Sequence, residues 1–377
     1  MKKVFLFISL FVSAFVWANE PVLRGYNKPQ GGFVILDEND EIVGFSESGT
    51  LSENENPFVN IYGESAPLIQ VMREQLPEEY VPVWPAPVED SIGPLLDNIR
   101  YNQGRPYNLM TPTYAGQHCV TGCVATAMAQ IMRYWQWPDV CNNGTETYYV
   151  DKIKQNVSFT YDNVAFDWEH MKPVYSNLAS EETQQEWDAV ALLMRACGVG
   201  VHMGYGVDGS GSSSTNVVKP MIQYFKYKSS MRLEGVDNLM KKNEFITGLI
   251  DEFKAKRPVY CDGFENGKTG EDAFHAYVID GFITLKGDKN LDVPYFHFNF
   301  GWGGSMNGWY RLTGNVERSI YSTLNIIRFI EPDNGTGLEE VRAEYKDGKI
   351  RDIMGREVSE TIPGQLYILN GEKFIAR

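Results

Sequence analysis

Position 123 carries a thiol within Thr121-Gly122-Cys123-Val124-Ala125-Thr126-Ala127-Met128-Ala129-Gln130. A small, polar turn delivers this cysteine to the first turn of a predicted helix that runs to Trp135. At a helix start the unpaired backbone N–H groups and the positive end of the dipole favour thiolate over thiol, and the thiolate is the nucleophile. The competing reading is a small buried cysteine that packs like alanine. Catalysis therefore needs three more parts from elsewhere in the chain: a base, a group that orients the base, and an oxyanion hole.

Five histidines are available as the base. His275 opens the apolar strand His275-Ala276-Tyr277-Val278-Ile279-Asp280-Gly281-Phe282, where a rigid backbone can hold an imidazole with one face open. His297 alternates with aromatics in Tyr295-Phe296-His297-Phe298-Asn299-Phe300 and is expected to pack. His118 lies in a loop, and neither His170 nor His202 has a recognisable companion motif. Asn299 heads Asn299-Phe300-Gly301-Trp302-Gly303-Gly304, and an amide there can accept the imidazole N–H while Trp302 shields the bond from water. The alternative for that segment is a glycine-rich turn with an aromatic lid. Gln103, in Tyr101-Asn102-Gln103-Gly104, can donate its amide N–H to an oxyanion beside the Cys123 backbone N–H, although a glutamine in a turn is also unremarkable.

Other chemistries fit poorly. Gly204-Tyr205-Gly206-Val207-Asp208-Gly209 matches a dinucleotide-binding spacing, but Ser210-Gly211-Ser212-Ser213-Ser214 follows where a helix should begin. His118, Cys119 and Cys123 lack a second ligand pair at zinc-like spacing, so no metal or other cofactor is expected. No GxSxG elbow is present. The formal charge of −15 argues against nucleic-acid or anionic-membrane partners, which need clustered Lys and Arg.

With 377 residues and an apolar fraction of 43%, the chain has material for more than one folded unit. Residues 1–18 have the pattern of an export signal: Lys2 and Lys3, an apolar run too short to span a bilayer, and a small-residue cleavage site at Ala18. The expected protein is thus an exported bacterial one, secreted, periplasmic or cell-surface associated, with no membrane-spanning segment. Five cysteines leave at least one thiol unpaired, with a Cys119–Cys141 bridge open as a possibility.

Residues 31–45 alternate like a hairpin, and 67–76 has the spacing of a short amphipathic helix. Pro82, Pro85 and Pro87 then mark a stiff, accessible boundary. Helices are expected over 181–197, ended by Gly198, and over 243–256; short strands fill 258–312. Helix-rich then strand-rich order indicates an α+β fold. After a linker at 333–337, segments 349–356 and 365–375 have hairpin patterns, the second with an Asn-Gly turn.

The blocks around Gln103, Cys123, His275 and Asn299 stand in the order found in the streptopain family of papain-like cysteine proteases, of the kind found in Bacteroides and Prevotella, which the chain resembles over residues 31–312. Phe300 replaces the family's tryptophan after the Asn, and Phe274 stands where a glycine often precedes the histidine. The resemblance implies Cys123 as nucleophile, His275 as base, Gln103 in the oxyanion hole, Asn299 orienting His275 and Trp302 as its shield. It implies a papain-like catalytic domain over 88–332, a small α+β inhibitory propeptide over 19–87 and a β-hairpin sorting or surface-attachment tail over 333–377. The substrates would be proteins or peptides, with the chain's own propeptide as intramolecular inhibitor. A cell-wall peptide amidase or transpeptidase and an inactive surface binding module are the alternatives.

Overall fold

The computed structural model describes residues 22–29, 31–37, 39–52, 68–72, 88–235, 242–264, 274–285, 294–311, 325–334, 350–352, 358, 366–369 and 372–375. The export signal and the prolines at 82, 85 and 87 lie outside the described residues.

One large sheet organises the chain. Four N-terminal strands, β1 (Val22–Asn27), β2 (Phe33–Leu36), β3 (Ile42–Ser46) and β4 (Leu68–Met72), are followed by β5 (Val88–Ile92). Two small hairpins come next, β6 (Thr113–Tyr114) with β7 (Gln117–His118) and β8 (Thr145–Val150) with β9 (Gln155–Thr160). The remaining strands of the large sheet are β10 (Arg232–Gly235), β11 (Val259–Phe264), β12 (Phe274–Leu285), β13 (Tyr295–Asn299), β14 (Gly308–Arg311) and β15 (Asn325–Arg328). Their order is β10-β15-β11-β12-β13-β14-β3-β2-β1-β4, with β5 paired to the far half of β12. Strand β3 therefore continues the sheet past β14, antiparallel, with Trp309 opposite Phe45 and Tyr310 opposite Gly44.

The period-two alternation of the strands splits the core into two layers. Tyr260, Ala276, Val278 and Ile327 face α1 (Cys123–Trp135) and α2 (Gln184–Gly200). Val259, Cys261, Tyr277, Ile279 and Ile326 face the opposite way, in a core layer that they share with Phe245, Leu249 and Phe253 of α4 (Lys242–Lys254) and with Phe33 and Ile35 of β2. A short helix, α3 (Val218–Gln223), completes the helical side. All ten residues from Cys123 to Met132 are buried, which suits a helix rich in Ala and Met packed between α2 and β12.

Several expectations need correction. The stretch around Leu68–Met72 is a strand pairing parallel with β1, not a helix. A short apolar run fits either state, and here the open edge of β1 decides. Helix α2 starts one turn of capping later than expected, with a Thr183–Glu186 capping box, and runs through Gly198 to Gly200. Gly198 is there for space, because a Cβ would lie 2.2 Å from the Tyr205 hydroxyl. In the tail, β16 (Ile350–Asp352) pairs with β17 (Leu366–Leu369) rather than folding on itself, and β17 pairs with β18 (Glu372–Ile375) as expected. All five cysteines are buried free thiols, so Cys119 and Cys141 are not bridged. No helix among the described residues is long and apolar enough to cross a membrane.

Phe33 of β2 is fully buried, with its ring 6.0 Å from that of Tyr310 of β14, two strands away across β3. Phe33→Ala should destabilise the full chain by about 3–5 kcal/mol, read as a lower urea midpoint.

Candidate active site

The turn before Cys123 is gripped from both sides. Thr121 N–H donates to the Gln103 carbonyl (3.1 Å), and Val120 N–H donates to the Gly206 carbonyl (3.1 Å). The Ser210 hydroxyl donates to the Val120 carbonyl at 2.7 Å. Gly122 has φ +86°, and a Cβ there would sit 2.6 Å from the Met203 sulfur, so only glycine fits. Thr126 donates through its hydroxyl to the Gly122 carbonyl (2.9 Å), tying the turn to the helix it opens. No acidic residue occupies the first turn of α1.

Opposite stands the start of β12. The Cys123 thiol accepts from the backbone N–H of Ala276, so it touches the residue next to His275. The His275 ring lies 4.5 Å from that of Trp302 and 6.3 Å from those of Tyr277 and Phe300. Its Nε2 is 2.9 Å from the Phe300 carbonyl, a contact that makes Nε2 the protonated nitrogen and leaves Nδ1 as the basic one. Among the described residues no hydrogen bond joins the Cys123 thiol to the imidazole.

Asn299 is in the site but not on the imidazole. Its amide nitrogen donates to the Ile99 carbonyl (2.8 Å), and its oxygen accepts from Gly301 N–H (3.2 Å). Sequence reasoning found the residue and missed the carbonyl beside it, because a backbone acceptor leaves no trace in residue type. Gly301, Gly303 and Gly304 all have positive φ, at 71°, 66° and 95°. They fold the Trp302 turn back so that Gly303 N–H reaches the Tyr101 carbonyl (2.8 Å). The same clamp fixes the Gln103 segment, since Tyr101 N–H is held by the buried Gln130 of α1 (3.2 Å). The Gln103 side-chain amide makes no hydrogen bond among the described residues.

Of the remaining histidines, His297 pairs with buried Asp280 (2.6 Å), whose other oxygen accepts from Leu96 N–H (2.8 Å). His202 bonds Glu146, His170 bonds Asp167 and His118 bonds the Thr111 carbonyl. All four have their own partners away from Cys123. A cavity of 470 Å³ opens beside Cys123, bounded by the 210–215 loop, Asp262, Phe274 and Asn325. Cys119 is buried and does not line it.

The electrostatics differ from the expectation of a thiolate. Burial pushes the Cys123 thiol up to about 11, outweighing the backbone N–H donors of Ala276, Val124 and Cys123 itself. Burial likewise takes His275 down to about 4, against the pull of the Phe300 carbonyl. Both groups rest neutral.

Two measurements follow from these shifts. At pH 7 the Cys123 thiol of the full chain should alkylate about 300-fold more slowly than an unstructured cysteine of pKa ≈ 8.5, followed by peptide mass mapping. For His275 the folded pKa lies below the unfolded 6.5, so the unfolded chain takes the proton first. Stability is then full above pH 6.5 and falls as the pH drops towards 4, by on the order of 3 kcal/mol in urea titrations, a loss that His275→Gln should remove.

Residues 101–310 match the model of the Peptidase C10 family. Streptopain of Streptococcus pyogenes is 31% identical over 311 residues, spanning 76% of this chain and 73% of streptopain. The thiol protease/hemagglutinin PrtT of Porphyromonas gingivalis is 31% identical over 262 residues, 69% of this chain and 28% of that protein. Among solved structures, a Prevotella intermedia prointerpain A fragment is similar at a TM-score of 0.59 and 25% identity, covering 83% of this chain and 99% of that one. Active wild-type interpain A gives 0.53 and 28% identity, covering 65% of this chain and 99% of that one.

Proposed function

The chain belongs to the peptidase C10 family and is a cysteine endopeptidase made as a zymogen; we propose that Cys123 is its nucleophile and His275 its base. The observation that carries this assignment is the Cys123 thiol at a clamped helix start, bonded to the backbone N–H that follows His275. His275 Nδ1 takes the thiol proton, because Nε2 is committed to the Phe300 carbonyl. The thiolate attacks the scissile carbonyl, and the oxyanion accepts from the Cys123 N–H and the uncommitted Gln103 amide. His275 then protonates the leaving amine and activates the water that hydrolyses the acyl-enzyme. Trp302 covers the imidazole, while Asn299 orients it through the Phe300–Gly301 turn that it ties to Ile99.

On this reading residues 19–87 are the inhibitory prosegment and 88–332 the catalytic domain. Prointerpain A covers a larger share of the chain than mature interpain A does, 83% against 65%, as expected if the difference is prosegment. Residues 1–18 direct export from a bacterial cell, and 333–377 form a small β tail for sorting or attachment. Substrates are proteins or peptides.

Casein digestion under reducing conditions tests the assignment. The 19–377 chain should shorten to a form beginning near position 88 and digest casein, whereas Cys123→Ala should stay full length and inert. An active Cys123→Ala chain would overturn the assignment. Gln103→Ala should lower kcat by about 10²–10³-fold with KM little changed.

A further inference from the structure

Helix α1 does more than present Cys123. Thr126, Gln130 and Arg133 follow the cysteine at intervals of three, four and three residues, so all four lie on one face of the helix. Thr126 holds the Gly122 carbonyl and pairs with the Thr121 hydroxyl at 3.0 Å. The next two reach Tyr101. Gln130 Oε1 accepts from the Tyr101 N–H at 3.2 Å, and Arg133 hydrogen-bonds the Tyr101 hydroxyl. Tyr101 is fully buried, and two residues beyond it stands Gln103, whose carbonyl takes the Thr121 N–H.

Gln130 is an unexpected occupant of its position. It is fully buried, in a stretch where Met128, Ala129, Ile131 and Met132 pack as core. Its Nε2 has no hydrogen-bond partner among the described residues, and a Cβ on Gly301 would lie 3.8 Å from it. Turning the amide over brings no relief, because its NH2 would then confront the Tyr101 N–H, donor against donor. A methionine of similar length would fill the same space without burying an unmet donor. What the glutamine supplies, and methionine cannot, is the acceptor for Tyr101.

From this arrangement we infer that Gln130 is a positioning residue of the oxyanion hole: it holds the Gln103 segment at a fixed distance from the Cys123 N–H. The inference rests on the reading of Cys123 N–H and Gln103 as the oxyanion donors. One rigid helix carries the first donor at its start and, about 10.5 Å further along its axis, the acceptor that places the strand bearing the second. The gap between the donors is thereby set by a helix rather than by a loop. Without the Gln130 acceptor, Tyr101 keeps its ring packing and its hydroxyl contacts, so the segment stays in place but loses its exact setting. A displacement of about 1 Å at an oxyanion donor costs on the order of 10²-fold in rate.

The test is a double-mutant cycle between Gln130 and Gln103, read on a quenched fluorescent peptide spanning a casein cut site after each chain has shortened fully. Gln130→Met should lower kcat by at least about 10-fold with KM within about 2-fold of wild type. Gln130→Glu, which keeps the shape and an acceptor, should recover most of that loss. In the Gln103→Ala chain, Gln130→Met should lower kcat by less than about 2-fold, because there is no donor left to misplace. If the Met variant loses its urea transition, Gln130→Asn, whose amide falls one methylene short of Tyr101, replaces it in both backgrounds. An unchanged kcat in Gln130→Met, or an equal loss in both backgrounds, overturns the inference and leaves Gln130 a packing residue. Full kcat in Gln103→Ala would instead sink the oxyanion assignment, and the inference with it.

Discussion

A helix buried along its whole first half can meet the outside only at its end, and this constraint shapes the rest of the molecule. From Cys123 to Met132 every side chain of α1 is covered, and the opening described at the thiol is the cavity beside it, bounded by the 210–215 loop, Asp262, Phe274 and Asn325. The sheet closes one side through the start of β12, the Gln103 segment a second and the 204–214 loop a third. The glycine-rich turn after Asn299 is stitched to the Gln103 segment, so His275, Trp302 and Gln103, the proposed base, shield and oxyanion donor, share one set of backbone hydrogen bonds. Few side chains in this frame are free to vary without moving the others.

The same burial governs the chemistry. A helix terminus contributes a modest stabilisation to a thiolate, about 0.3–1 kcal/mol in exposed settings, whereas taking a charged sulfur out of water is far more unfavourable. In the full chain burial wins at both Cys123 and His275, and the pair rests uncharged. Water or a polar substrate group entering the 470 Å³ cavity would shift the balance at both residues together.

Much of the site was legible in the sequence because its parts depend on residue type at fixed local spacing. Thr-Gly-Cys before an alanine-rich run marks a thiol at a helix start, and His275 at the head of an apolar strand marks a held imidazole. What escaped depended on partners distant in the chain. The 68–72 strand is decided by the edge of β1, the run of α2 through Gly198 by the approach of Tyr205, and the anchoring of His275 by a carbonyl. Asp262 drew no notice at all, since an aspartate between Cys261 and Gly263 looks like a strand end. Only its pairing opposite Ala276 and Asn325 reveals a buried acid.

The N-terminal strands are joined to the catalytic sheet by the ladder between β3 and β14, not merely by the covalent chain. Cutting the backbone between β4 and β5 leaves that ladder and the Phe33 packing in place. On the proposed reading of residues 19–87 as the prosegment, before the cut the inhibitor is present at a high effective concentration fixed by its tether; after it, the same contact becomes an ordinary bimolecular equilibrium. On that reading full activity depends on dilution, or on digestion of the freed strands, so a dilute preparation would switch on faster than a concentrated one.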